Sequence, residues 1–202
     1  METTIKILSY LINTFGTMYL SVILLRFMCQ LSRADFYNPV SQALVKLTNP
    51  ILVPLRRIIP GLWGIDMASI LLAVLFHALV FQIYLLVLGD RFIPPHYLVA
   101  WSVFAVLLNI INLYILSGII VAISSFIAPF STNPILVLLR QLMEPLAAPF
   151  RRWIPPAGGL DFSFLFVFIS LTVAGMAIVG IGSSIQTPFR HMIYFSFFTP
   201  TV

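Results

Sequence analysis

Two phrases in this 202-residue chain set paired guanidinium groups between prolines: PLRRIIP, from Pro54 to Pro60, and PFRRWIP, from Pro149 to Pro155. A guanidinium is a planar, permanently charged fork that grips a phosphate or carboxylate through two parallel N–H bonds. Arg56, Arg57, Arg151 and Arg152 are therefore candidates for holding anionic lipid headgroups or an acidic partner surface. The plainer alternative is that they only orient and anchor a loop. Only 8% of the chain is charged, so repeating such a pair is a conspicuous use of charge.

Other polar groups accompany them. Asp66 follows the first pair and Asp161 the second, with Ser69 and Ser163 nearby. Both aspartates read as N-caps that satisfy free backbone N–H groups at the start of a helix. An intramembrane ion site, or a pair with Arg56 or Arg57, are the alternatives. Thr14 and Thr17 stand three apart on one helical face, as do Asn109 and Asn112. Together they form a polar seam, read either as interhelical hydrogen bonding or as a path for an ion.

Catalytic chemistry is not expected. The six acidic residues are dispersed, and no serine has an evident histidine partner. Phosphate-binding and dinucleotide-binding glycine motifs are absent. His77 alone cannot provide two axial haem ligands, so no cofactor and no metal site are expected. Cys29 is the only cysteine, which excludes an intrachain disulfide and CxxC chemistry.

The elements that position these residues are apolar. The hydrophobic fraction is 60%, far above the level of soluble domains. Four runs are long enough to cross a bilayer: about 5–31, 67–88, 97–127 and 162–181. The first is too long for a signal-peptide core and is expected to stay as an anchor. The net charge of +5 then reads as the positive-inside bias of membrane loops rather than as nucleic-acid binding. Arg26, inside the first run, is expected to snorkel to the surface or to neutralise Asp35 or a capping aspartate. Ser170, Ala174, Gly175, Gly180 and Gly182 keep the fourth span slim, which suits close packing or dimerisation.

The chain is internally duplicated. Asn38, Pro39, Leu44, Leu47, Pro50, Pro54, Arg56, Arg57, Ile59, Pro60, Gly64 and Asp66 all recur at a constant offset of 95 residues, without a gap. The first unit covers 1–94 and the second 95–183, with an interfacial tail over 184–202. Each unit reads as span, amphipathic segment, span. In the segments Val40, Leu44, Leu47, Ile51, Leu55 and Ile58 share spacings with Ile135, Leu139, Leu142, Leu146, Phe150 and Trp153, giving one apolar face. Pro50 and Pro54, like Pro145 and Pro149, are expected to split each segment into two short helices at an angle. Gly64 and Gly159 are expected to end them.

Two crossings per unit make the repeats parallel, so both arginine pairs face one compartment. Arg33, Lys46, Arg56, Arg57, Arg140, Arg151 and Arg152 fall on that side, against Lys6, Arg91 and Arg190 on the other. The basic side is expected to be cytoplasmic, with both termini across the membrane.

The duplicated pattern, Asn-Pro, two spaced prolines, Arg-Arg, Pro, Gly and Asp, resembles the YggT family, also called the YlmG family. It is carried by Asn38, Pro39, Pro50, Pro54, Arg56, Arg57, Pro60, Gly64 and Asp66, and by Asn133, Pro134, Pro145, Pro149, Arg151, Arg152, Pro155, Gly159 and Asp161. The resemblance spans nearly the whole chain, and its tandem form is similar to gammaproteobacterial members. It implies an all-α integral protein of the bacterial inner membrane, with periplasmic termini. Members are linked to cell division and nucleoid distribution, plastid relatives to haem attachment in cytochrome b assembly, and enterobacterial relatives to osmotic tolerance and ion uptake. A scaffold or assembly factor is therefore expected, with anionic lipids, division or assembly proteins, or further copies of the chain as partners. A component of an ion-uptake channel is the alternative. Glu144 replaces Asn49, so the two units need not bind the same thing.

Overall fold

Six helices follow one another in the computed structural model, which describes residues 2–62, 64–90, 92–153 and 163–184. They are α1 (Glu2–Leu31), α2 (Pro39–Ile58), α3 (Met67–Val87), α4 (Pro95–Ile127), α5 (Pro134–Trp153) and α6 (Ser163–Ser184). α1, α3, α4 and α6 are long and apolar enough to cross a membrane, which is compatible with a membrane protein. No described residue belongs to a sheet; a lone bridge pairs Leu62 with Ile65. Pro155, Gly159, Asp161 and residues 185–202 of the tail lie outside the described residues.

Proline and asparagine set the helix ends. Pro39, Pro95 and Pro134 each open a helix, where a missing N–H is harmless and the fixed φ is already helical. The Asn38 side chain accepts the N–H of Val40 at 2.9 Å, and the Asn133 side chain accepts that of Ile135 at 2.9 Å. The duplicated Asn-Pro is thus a duplicated helix start. Asn38 does more: its amide donates to the Pro134 carbonyl at 2.8 Å, tying the start of α2 to that of α5.

α1 lies along α3, α3 along α4, and α4 along α6, while α2 and α5 brace the same end of the row and touch each other. Leu20, Leu24 and Met28 of α1 meet Leu52 of α2, Leu142 of α5 and Val167 of α6 in one core. Close approach is made by small residues. A Cβ on Gly16 would stand 2.5 Å from Val80 Cγ1, so α1 and α3 touch there only because glycine is present. Gly118 of α4 plays the same part toward Met143 and Phe168. Most of α6 faces outward, with Val167 as its one buried large apolar side chain among the described residues.

Two expectations about the segments between spans are corrected. α2 and α5 are each one helix of 20 residues, with Pro50, Pro54, Pro145 and Pro149 inside them. The prolines of each pair stand four apart on the exposed face, so the carbonyls they leave without helix partners share one open stripe. The helix therefore continues along its packed side. What stops α2 is Pro60, just after Ile59, whose N–H still reaches the Leu55 carbonyl at 3.0 Å. Gly64 instead sits at φ +81 in the tight turn that joins Leu62 to Ile65, a conformation natural to glycine.

The packed faces include part of the expected stripe: Leu44 of α2 and Leu139 and Leu142 of α5 are buried, and Leu55, Leu146 and Phe150 pack against the core. The residues α2 buries are Ser41, Leu44, Thr48 and Leu52, whereas Leu47, Ile51 and Ile58 point outward. α5 buries Leu138, Leu139, Leu142, Met143 and Ala147, and exposes Ile135 and Trp153. An apolar stripe wide enough for both faces explains the difference: one flank meets the bundle and the other is left outside.

Candidate functional site

The arginine pairs close the C-terminal turns of α2 and α5, where a cation also complements the helix dipole. Within each pair the two residues behave differently. Arg56 donates from Nε to Asp66 Oδ2 at 3.2 Å, adds a second bond from Nη2 to the same oxygen, and reaches Gln30 Oε1 at 3.1 Å. It thereby joins the ends of α1, α2 and α3. Arg151 pairs with Glu144 at 2.7 Å, and its guanidinium stands 5.8 Å from the centre of the Phe164 ring. Arg57 and Arg152 are exposed and make no ion pair among the described residues. Exposed Ile58 and Trp153 stand directly beside them, Trp153 at 87% exposure.

Asp66 keeps the backbone position of an N-cap, but its carboxylate is not a cap in the expected sense. It makes no cap hydrogen bond, and instead takes Arg56 and the Ser69 hydroxyl. The Asp66 side chain is 4% exposed and that of Arg56 is 38% exposed. Burial pushes the Asp66 carboxyl pKa up, but the hydrogen bonds from Arg56 and Ser69 outweigh it. The group is held below the ordinary carboxylate range.

Arg26 contradicts its expectation. It neither snorkels nor neutralises an aspartate: it is 7% exposed and makes no ion pair among the described residues. Its Nη1 donates to the Val45 carbonyl at 3.2 Å and to the Thr48 hydroxyl. Asp35 is occupied elsewhere, accepting the Tyr37 N–H at 2.9 Å, and Asp66 is held by Arg56.

The seam residues are distributed over the bundle. Asn109, Asn112 and Thr17 are buried, and Thr14 is half-buried. Thr17 donates to Asn13 at 3.2 Å and Asn109 to the Ala105 carbonyl at 2.9 Å, both within their own helices. His77 meets the Ser102 hydroxyl at 2.8 Å across α3 and α4, and stacks on Phe81. No group of metal-binding side chains occurs among the described residues. Sequence reasoning missed Gln30, which holds Arg56, and the Arg151–Glu144 pair. Only the second left a trace, in the Asn49-to-Glu144 departure.

A family model described as CCB3/YggT matches the chain twice, over residues 5–88 and 100–182. The chain belongs to the CCB3/YggT family. An uncharacterized protein of Pseudomonas aeruginosa is 44% identical over 84% of this chain and 87% of its own length. An uncharacterized protein of Vibrio alginolyticus is 39% identical over 83% of this chain and 90% of its own length. The uncharacterized protein YggT of Escherichia coli K12 is 34% identical over 85% and 88%. No solved structure matches. Both stretches of this YggT-family chain matched by the family model contain one arginine pair, so the motif lies inside the family's shared region twice.

Proposed function

We propose that this YggT-family chain is a non-enzymatic scaffold of the bacterial inner membrane that gathers acidic partners on a basic cytoplasmic face. In this reading the two units are parallel repeats, each a span, an interfacial helix and a second span. α2 and α5 lie at the membrane surface, with the outer apolar flank formed by Leu47, Ile51, Ile58, Ile135 and Trp153 in the headgroup region. The excess of basic residues beside the arginine pairs supports a cytoplasmic face and periplasmic termini.

The observation that carries the reading is the division of labour within each pair. Arg56 and Arg151 are each tied to a carboxylate, Arg56 across helices to Asp66 and Arg151 within α5 to Glu144. Arg57 and Arg152 occupy equivalent positions 95 residues apart, exposed and without an ionic partner among the described residues. Two guanidinium groups without an ionic partner among the described residues, each beside an exposed apolar side chain, suit a partner that brings carboxylate or phosphate to a membrane surface.

Charge reversal tests the proposal. The double variant Arg57→Glu, Arg152→Glu is expected to insert normally and to lose whatever proteins co-purify specifically with the wild-type chain. Unchanged co-purification from the same membranes rejects it.

A further inference from the structure

The first unit holds two guanidinium groups and one carboxylate in a single cluster. Arg26 is buried at 7% exposure, and its one described charge-neutral pair of acceptors is the Val45 carbonyl and the Thr48 hydroxyl. Gln30 lies one helical turn further along the same face of α1, about 6 Å away. The Gln30 side chain accepts from Arg56, and Arg56 holds Asp66. Arg26, Gln30, Arg56 and Asp66 thus form a row where α1, α2 and α3 meet, with a net charge of +1. A charge taken out of water without a counter-ion is strongly unfavourable, and inside membrane proteins such groups mark sites that bind or move ions.

The second unit differs at two of the corresponding positions. The residue equivalent to Arg26 is Val121, and the residue equivalent to Asn49 is Glu144. There the cation Arg151 is answered by Glu144. The units thus differ in opposite senses, the first carrying the extra cation Arg26 and the second the extra anion Glu144. Helix packing alone does not need Arg26, because α4 buries Val121 at the same place.

We propose that the first unit binds a phosphate-class anion between Arg26 and Arg56. Guanidinium forks match phosphate oxygens, and the bound anion returns the cluster to neutrality. The phosphate can belong to a lipid headgroup or be free in solution, and the chemistry is shared. The inference stands apart from the partner surface proposed above, because it needs Arg26 and does not need Arg152.

The test uses the full chain, purified in neutral detergent and stripped of lipid. Its thermal midpoint is measured against phosphatidylglycerol, a phosphate-free galactosyl diacylglycerol, inorganic phosphate, and chloride at matched ionic strength. The wild type is expected to gain stability from phosphatidylglycerol, and from inorganic phosphate if the free anion is the ligand; the galactolipid and chloride serve as baselines. Arg26→Val, which copies the second unit, is expected to bind about 30-fold more weakly or worse, the low end for truncating a buried charge-assisted contact. Arg152→Ala is expected to bind as the wild type does. Arg26→Lys keeps the charge and loses the fork. It is expected to fold and to bind with intermediate affinity, which covers the case in which Arg26→Val fails to fold. Equal stabilisation of wild type and Arg26→Lys, or no gain over chloride from either phosphate source, overturns the proposal.

Discussion

Replacing Asp66 with asparagine isolates the contact that joins α2 to α3. The carboxylate accepts from both Nε and Nη2 of Arg56 and from the Ser69 hydroxyl, and it is almost wholly buried. Removing one member of a buried ion pair costs about 3–5 kcal/mol when the remaining charge is stranded. Arg56 is 38% exposed and can turn toward solvent, so screening reduces that figure to about 2–3 kcal/mol. For a chain of about 200 residues each kcal/mol moves the midpoint by about 2–4 °C, which gives a drop of about 4–12 °C. Thermal unfolding in detergent, followed by circular dichroism, reads it directly. The pH dependence is a second readout. A carboxyl held below its unfolded value stabilises the fold above about pH 4, and that contribution is lost as pH falls through the folded pKa. The wild type is therefore expected to weaken below about pH 4 more steeply than Asp66→Asn. Asp35→Asn, at an exposed site, is the control and should shift stability by less than about 0.5 kcal/mol. A variant at Asp66 with an unchanged midpoint and an unchanged acid limb refutes the reasoning.

Further expectations concern packing and caps. Gly16→Ala is expected to cost about 1–3 kcal/mol through the clash with Val80, and Val80→Ala should restore most of it in the double variant. Thermal midpoints of the four proteins form the cycle that checks this. Asn38→Ala removes both a cap and the bond to Pro134, so it should destabilise by about 1–2 kcal/mol more than a surface substitution, whereas Asn133→Ala loses only its cap, about 1 kcal/mol. Denaturation of the two variants side by side is the measurement. Glu144→Gln should free Arg151 with little loss of stability, under about 1 kcal/mol, because Glu144 is exposed.

Much of this architecture was legible in the chain itself. The four long helices follow from uninterrupted apolar runs, which leave little else for the backbone to do in a bilayer. The Asn-Pro phrase announced a helix start, because asparagine caps and proline opens. The proline pairs were misread for an identifiable reason. A single-residue rule predicts a break, but two prolines four apart place their defects on one exposed stripe while Leu44 and Leu52 stay packed behind it. The face of α2 could not be chosen from periodicity, since its apolar stripe is wide enough to serve two neighbours. Asp66 looked like a cap because cap and ion-pair partner share the same position at the head of a helix. Only the fold shows that Arg56 reaches it first. The burial of Arg26 had no sequence signature beyond its absence from the second unit.

The claim that Arg57 and Arg152 present an engaged surface is tested most directly by site-specific photocrosslinking in living cells. A photoreactive residue replaces each arginine in turn, and the adducts are read by mass spectrometry. The account predicts a discrete protein adduct at both positions, and none from a probe at Phe15, which faces outward from the middle of α1. Adducts confined to lipid at both arginines, with no protein captured, would contradict it.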